Sequence, residues 1–271
     1  MGGSVVVFDF DKTIIEVDSD NWVVDHLGFT HLFNRLLPTM PWNSLMDKMM
    51  NEVHANGKTI EDIKQVLEKA PIHPRIIPAI KSAYASGCEL RIVSDANLFY
   101  IETILKHHGI RECFTDIKTN QGYVDDSGRL RILPFHLSSH GCSLNNLCPP
   151  NMCKGKIIEE IQDSLEREGK KKRMIYLGDG VGDFCPSLKL KQGDFVMPRK
   201  DFPVSKLINE NRKLLEAEVH EWADGEELEL LLLHLINSIC IQEENQSLPD
   251  EFQKISILSP EPAPQAIPVP F

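Results

Sequence analysis

Three short apolar runs, each closing on a polar residue, restrict what this chain can fold into. Val5-Val6-Val7-Phe8, Leu90-Arg91-Ile92-Val93 and Met174-Ile175-Tyr176-Leu177 have the length and composition of strands buried on both faces. Helical patterns lie between them, from Asn97 to His107 before Gly109 and from Lys154 to Glu168 before Gly169. Strands alternating with helices predict an α/β fold, a doubly wound Rossmann-like parallel sheet covered on both faces.

The segment 16–74 breaks that alternation. It holds no strand pattern but several helix-length ones, including Trp42 to Asn56, stopped by Gly57, and Thr59 to Ala70, with Thr59 placed to cap. Directly after the first strand, it reads as a small helical cap over the sheet's carboxyl end. Residues 1–15 and 75–240 are then expected to form the Rossmann-like core. Turn chemistry at Asp126-Ser127-Gly128 predicts a hairpin within Ile117 to Phe135. From about Gln242 onward the chain holds six of its 17 prolines and no glycine, so a disordered or extended tail, 241–271, is expected.

Net charge narrows the partners. The chain carries 29 Lys and Arg against 40 Asp and Glu, a formal charge of −11. That sign argues against a general nucleic-acid or anionic-membrane binder, both of which need a basic footprint. The longest apolar run, Leu228 to Ile236, is short of a bilayer span and is broken by Glu229 and His234. The first residues show no secretory pattern, and seven cysteines are an odd number. A reducing, cytoplasmic location is expected.

In an open parallel sheet, ligands bind outside the carboxyl ends of the strands. Here the first strand runs into Asp9-Phe10-Asp11-Lys12-Thr13, the second into Ser94-Asp95, and the third into Gly178-Asp179-Gly180-Val181-Gly182-Asp183. Residues two apart in extended chain point the same way, so Asp9 and Asp11 share one site. Neighbouring carboxylates repel unless a cation or proton separates them. Asp9, Asp11 and Asp179 therefore make a hard-oxygen site suited to Mg²⁺. Taken singly, an Asp after a strand is commonly a turn or capping residue. The joint occurrence of DxDxT, Ser, a helix-opening Lys and GDGxxD, in that order, is what argues for a site.

From Val5 to about Ile239 the sequence resembles the haloacid dehalogenase superfamily of phosphatases. FDFDKT, Asp18-Ser19-Asp20, Ser94-Asp95-Ala96-Asn97, Asn151-Met152-Cys153-Lys154 and Gly178-Asp179-Gly180 resemble, more narrowly, the phosphoethanolamine/phosphocholine phosphatases. The similarity is greatest to the plant, phosphate-starvation-type members, also described as pyrophosphatases. The resemblance implies Asp9 as nucleophile, Asp11 as general acid and base, and Ser94 as a donor to a phosphoryl oxygen. It implies Lys154 as a charge-balancing ammonium, Asp179 as a completing Mg²⁺ ligand and Asp183 as its support. Relatives often carry Asn where Gly182 stands, so one side-chain hydrogen bond of the pattern is absent.

The resemblance also supports Asp20 and Asp95 as substrate contacts. Neither is needed to handle phosphate, and both would suit a cationic head group, with Trp22 adding a cation–π contact. The alternative is that each merely caps a helix. Trp22 and Trp42 are otherwise expected to pack the cap helices rather than wall a site. Cys142, Cys148 and Cys153 have a spacing looser than a paired zinc motif and are expected to be free loop thiols, with a structural zinc site as the alternative. Cys88, Cys113, Cys185 and Cys240 read as core residues.

The expected function is a Mg²⁺-dependent phosphatase of small phosphomonoesters, phosphoethanolamine and phosphocholine first. Pyrophosphate, thiamine monophosphate and pyridoxal phosphate follow as substrates. A phosphotransferase or mutase, and a silent binding module, are the readings from other classes. The intact set Asp9, Asp11, Ser94, Lys154 and Asp179 argues against the last.

Overall fold

Four residues show how the sheet is built. In β1 (Val5–Phe8) every side chain is fully buried. Val6 and Phe8 join one apolar cluster and Val5 and Val7 the other, as the two-residue period of a strand requires. A computed structural model of the chain describes residues 3–247 apart from 139, 143, 145–147 and 171.

After β1 come α1 (Ser19–His26), α2 (Thr30–Leu36), α3 (Trp42–Ala55), α4 (Ile60–Leu67) and α5 (Ile76–Ala85). Then follow β2 (Glu89–Asn97), α6 (Leu98–His107), β3 (Phe114–Val124), β4 (Leu130–Leu133) and α7 (Lys154–Arg167). The chain continues through β5 (Met174–Gly178), α8 (Phe184–Ser187), β6 (Phe195–Pro198), α9 (Pro203–Glu210), β7 (Glu218–Val219) and α10 (Gly225–Ser247). The seven strands form one sheet in the order β4-β3-β2-β1-β5-β6-β7, parallel except for the β3–β4 hairpin. The three strands read from the sequence are its centre. Strand β6 alternates as β1 does, Phe195 and Met197 joining one cluster and Val196 the other, while β7 has only two residues.

Successive connections leave β1 on opposite sides, toward β2 and toward β5, so a topological switch point lies at its carboxyl end. Register levels that end. Phe8 pairs with both Ile92 and Leu177, and the Asp9 N–H donates to the Leu177 carbonyl at 2.9 Å. Asp9, Ser94 and Asp179 therefore emerge together. Helices α5, α6 and α10 cover one face with α1, α3 and α4, while α7 and α9 cover the other. Each fully buried Val, Leu, Ile or Phe contributes about 1.5–3 kcal/mol relative to exposure.

Two of the five helices between β1 and β2 carry side-chain caps. Thr59 and Asp62 make a reciprocal capping box at α4, and Asp18 caps α1 by accepting from the Asn21 N–H at 2.9 Å. Helix α3 is braced from outside: Asp47 accepts from Arg131 Nε at 2.8 Å, Nη2 at 2.9 Å and the Ile132 N–H at 3.0 Å. The hairpin carrying Arg131 turns at Asp125–Gly128, as expected from its turn residues.

One expectation needs correction. The chain is helical to Ser247, so Gln242 to Ser247 are not extended. They continue α10, whose buried face ends at Ile239, and Gln242 Oε1 accepts from Arg173 Nη1 at 2.5 Å. The rest of the predicted tail lies outside the described residues. No helix among the described residues is long and apolar enough to cross a membrane.

Candidate active site

All eight residues singled out from the sequence, Asp9, Asp11, Asp20, Ser94, Asp95, Lys154, Asp179 and Asp183, line one cavity of about 430 Å³ at the carboxyl ends of β1, β2 and β5. The segment between β1 and β2 contributes Asp18, Asp20, Pro41, Trp42 and Asn43.

Lys154 is the electrostatic centre. Only 3% exposed, its Nζ lies 2.8 Å from Asp9 Oδ2 and 2.8 Å from Asp183 Oδ1. Burial opposes its charge, but Asp183, Asp9 and Asp95 more than compensate and hold the ammonium well above its ordinary value. Asp9 Oδ1 accepts from the Phe10 N–H at 2.7 Å. Burial and Asp183 push Asp9 up, and Lys154 pulls it down.

Asp183 is held by the protein itself. Its Oδ1 accepts from Lys154 and from Tyr176 Oη at 2.6 Å, and its Oδ2 from the N–H groups of Asp179 at 3.0 Å and Gly180 at 2.8 Å. Four donors fix this carboxylate without the side chain that Gly182 lacks. Gly178 is required here, because a Cβ at that position would stand 2.4 Å from Asp183 Cγ.

The carboxylates that converge are Asp9, Asp179 and Asp183, whose oxygens lie within 4.8 Å of one another. Asp11 is not among them. Its Oδ2 instead accepts from Ser19 Oγ at 3.1 Å, and its Oδ1 finds no donor. Burial, then Asp18 and Asp20, raise Asp11 well above the usual carboxylate range. Burial and Asp183 raise Asp179 to about 7. Three clustered acids facing one ammonium leave an excess of negative charge, and hard oxygen donors in that number fit a divalent cation such as Mg²⁺. Ser94 Oγ accepts from the Ala96 N–H at 3.3 Å, which leaves its proton free for a ligand oxygen.

The capping alternatives for the two outer acids do not hold. Asp18, not Asp20, caps α1, and Asn97, not Asp95, caps α6 by accepting from the Tyr100 N–H at 3.0 Å. Asp20 Oδ2 accepts from Trp42 Nε1 at 2.6 Å; Asp20 Oδ1 and Asp95 Oδ1 are buried and find no donor. Burial and Asp18 raise Asp20 to about 7.

The aromatic assignment is corrected. Trp22 packs between α1 and α4, with Nε1 donating to the Val66 carbonyl at 2.9 Å and its ring against His26. Trp42 is the cavity's tryptophan, set edge-on against Phe33.

Sequence reasoning missed two supports. Tyr176 sits inside β5 and carried no signal beyond a core aromatic. Arg199 follows β6, whose end was not recognised as a strand end. Its Nη1 donates to the Lys12 carbonyl at 2.6 Å and its Nη2 pairs with Glu16 at 2.5 Å. That contact holds Lys12 at φ 53°, a left-handed conformation costing a lysine about 1–2 kcal/mol.

A parallel sheet with an acidic switch-point crevice, a buried Lys and an inserted helical segment defines a haloacid-dehalogenase-type phosphatase. The chain belongs to the "Putative Phosphatase" family, which matches residues 4–236, and is a phosphoric monoester hydrolase. It is similar to inorganic pyrophosphatase 2 of Arabidopsis thaliana, 63% identical over 260 residues, 93% of this chain and 92% of the relative. It is also similar to the phosphoethanolamine/phosphocholine phosphatase of Homo sapiens, 30% identical over 244 residues, 86% of this chain and 90% of the relative. A solved structure titled as a phospho-aspartyl intermediate analogue of phosphoserine phosphatase shares the fold at TM-score 0.55. It is 16% identical, covering 84% of this chain and 98% of its own.

Proposed function

We propose that the chain is a Mg²⁺-dependent phosphatase of small phosphomonoesters whose alcohol carries a cation, phosphoethanolamine and phosphocholine above all. One observation carries the substrate reading. Asp20 and Asp95 line the cavity beyond the convergent acids, and each keeps a buried carboxylate oxygen without a donor. Seven aspartates and two lysines line this cavity, a balance hostile to a wholly anionic ligand and favourable to one with a positive end. The exposed face of Trp42 suits the same head group. In this reading residues 16–74 act as the cap and 1–15 with 75–240 as the catalytic core.

The chemistry follows from the positions. Asp9 attacks phosphorus as the alkoxide leaves, forming an aspartyl-phosphate. Asp11, kept protonated by burial and by Asp18 and Asp20, gives its proton to the departing oxygen. It then takes a proton from the water that splits the intermediate. Lys154 and Ser94 stabilise the charge on the phosphoryl oxygens throughout. Asp9 and Asp179 would hold Mg²⁺, oriented by Asp183, and the bound ion supplies further neutralisation of phosphoryl charge.

Substituting Asp20→Asn or Asp95→Asn is expected to lower kcat/KM on phosphoethanolamine by about tenfold or more, about 1.4 kcal/mol. On an uncharged aryl phosphate the loss should be much smaller. Equal losses on both would assign the acids to folding or general catalysis. Inorganic pyrophosphate is the second reading, favoured by the 63% identity to a relative of that name. Steady-state kinetics of the wild type on both substrates separates the two, since a preference for pyrophosphate leaves an acid pair for binding a cation without a purpose.

Because Asp179 titrates near 7, protons should compete with the cation there. The Mg²⁺ concentration for half-maximal activity is expected to rise as pH falls from about 8 to 6. A requirement for Mg²⁺ that does not change over this interval would contradict proton competition at Asp179.

A further inference from the structure

Away from the phosphoryl site, four cysteines meet. Cys142, Cys148 and Cys153 come from the segment between β4 and α7, where free loop thiols were expected, and Cys185 from α8, where core packing was. All four are buried, at 7%, 4%, 0% and 0% exposure. Cys142 Sγ lies 3.6 Å from Cys148 Sγ and 3.8 Å from Cys185 Sγ; Cys153 Sγ lies 3.8 Å from Cys148 Sγ and 3.7 Å from Cys185 Sγ. Every pair is within 4.8 Å.

These separations have a simple meaning. Four thiolates placed tetrahedrally about 2.3 Å from a zinc ion stand about 3.8 Å apart. A disulfide needs sulfurs at about 2.0 Å, and none of the four measured separations approaches that. A multi-iron cluster is also a poor fit, since its ligands bind different irons and must spread around a larger core. The backbone has also made way for the sulfurs. Gly155 passes so close that a Cβ there would stand 2.4 Å from Cys185 Sγ.

We propose that Cys142, Cys148, Cys153 and Cys185 bind one zinc ion in a structural site. Four sulfur ligands close the tetrahedron and leave no position for substrate or water. The placement gives the ion a second consequence. Cys153 precedes Lys154, and Cys185 lies two residues beyond Asp183, so the ion ties together the two segments that carry the Lys154–Asp183 pair. It also pins the segment that supplies Pro149, Pro150 and Asn151 to the cavity wall. Three ligands fall within a span of loose spacing and the fourth is 32 residues further on, which is why no compact motif announced the site.

The test is metal analysis of the full chain, expressed with zinc in the medium and gel-filtered in excess Mg²⁺ without chelator. Elemental mass spectrometry is expected to find about one zinc per chain, released stoichiometrically when an organomercurial titrates the thiols. Cys148→Ser and Cys185→Ser should each lose the zinc and lower Tm by about 10 °C or more, while Cys113→Ser keeps both. Zinc content should be unchanged in Asp9→Asn, which separates this site from the phosphoryl site. Wild-type protein without zinc, with four freely titrating thiols, would overturn the proposal. So would iron in place of zinc, or zinc retained in both serine variants. The wild-type titration decides the matter even where a serine variant fails to fold.

Discussion

Asp9→Asn is expected to abolish turnover on every phosphate ester while leaving the fold intact. The amide is nearly isosteric and can still accept from the Phe10 N–H, but it cannot attack phosphorus. It also removes one charge from a group of three acids balanced by a single ammonium, so the change should not destabilise the protein. The measurement pairs phosphate release with a thermal melt. Loss of activity at unchanged or raised Tm is the expected pair of results; wild-type activity in the variant would remove Asp9 from the chemistry.

The second large effect is expected at Asp11. Asp11→Asn should lower kcat by about 10²–10⁴-fold, equivalent to about 2.7–5.4 kcal/mol of transition-state stabilisation. The two half-reactions should divide the loss unequally. With an aryl phosphate the leaving phenolate needs little protonation, so Asp9 can still be phosphorylated. Water attack on the intermediate still lacks its base. A burst of phenolate followed by slow turnover is therefore expected in stopped flow. A variant slowed equally in both phases would show that Asp11 orders the site through Ser19 rather than moving protons.

The legibility of this site follows from the sheet. A strand buried on both faces must end in something that is not apolar, and the level register of β1, β2 and β5 brings three such endings together. Asp9, Ser94 and Asp179 could be assembled from sequence for that reason. Lys154 opens α7 beside them, and Gly178 marks the close approach of Asp183.

What sequence could not show depends on contacts between distant segments. Trp42 rather than Trp22 faces the cavity, because Trp22 uses its N–H on the Val66 carbonyl, a contact 44 residues away in sequence. Which acid caps α1 could not be read from Asp18-Ser19-Asp20, where two aspartates are equally suited and only backbone geometry decides. Tyr176 and Arg199 act on Asp183 and Lys12 across strand boundaries, and the fourth sulfur comes from a helix of only four residues. Helix α10 ran past its expected end because a polar final turn has no apolar period to reveal it.

The central claim is a covalent phosphoryl intermediate on Asp9, and it can be observed directly. Asp11→Asn, mixed with an aryl phosphate and Mg²⁺, quenched in acid within the burst phase and digested, should yield the peptide containing Asp9 carrying one phosphoryl group. The group should be lost on brief exposure to hydroxylamine, as an acyl phosphate is. Its appearance should match the burst of phenolate in rate and amount. Phosphate released at the same rate with no phosphorylated peptide at any time, or a phosphoryl group on another residue, would contradict the account.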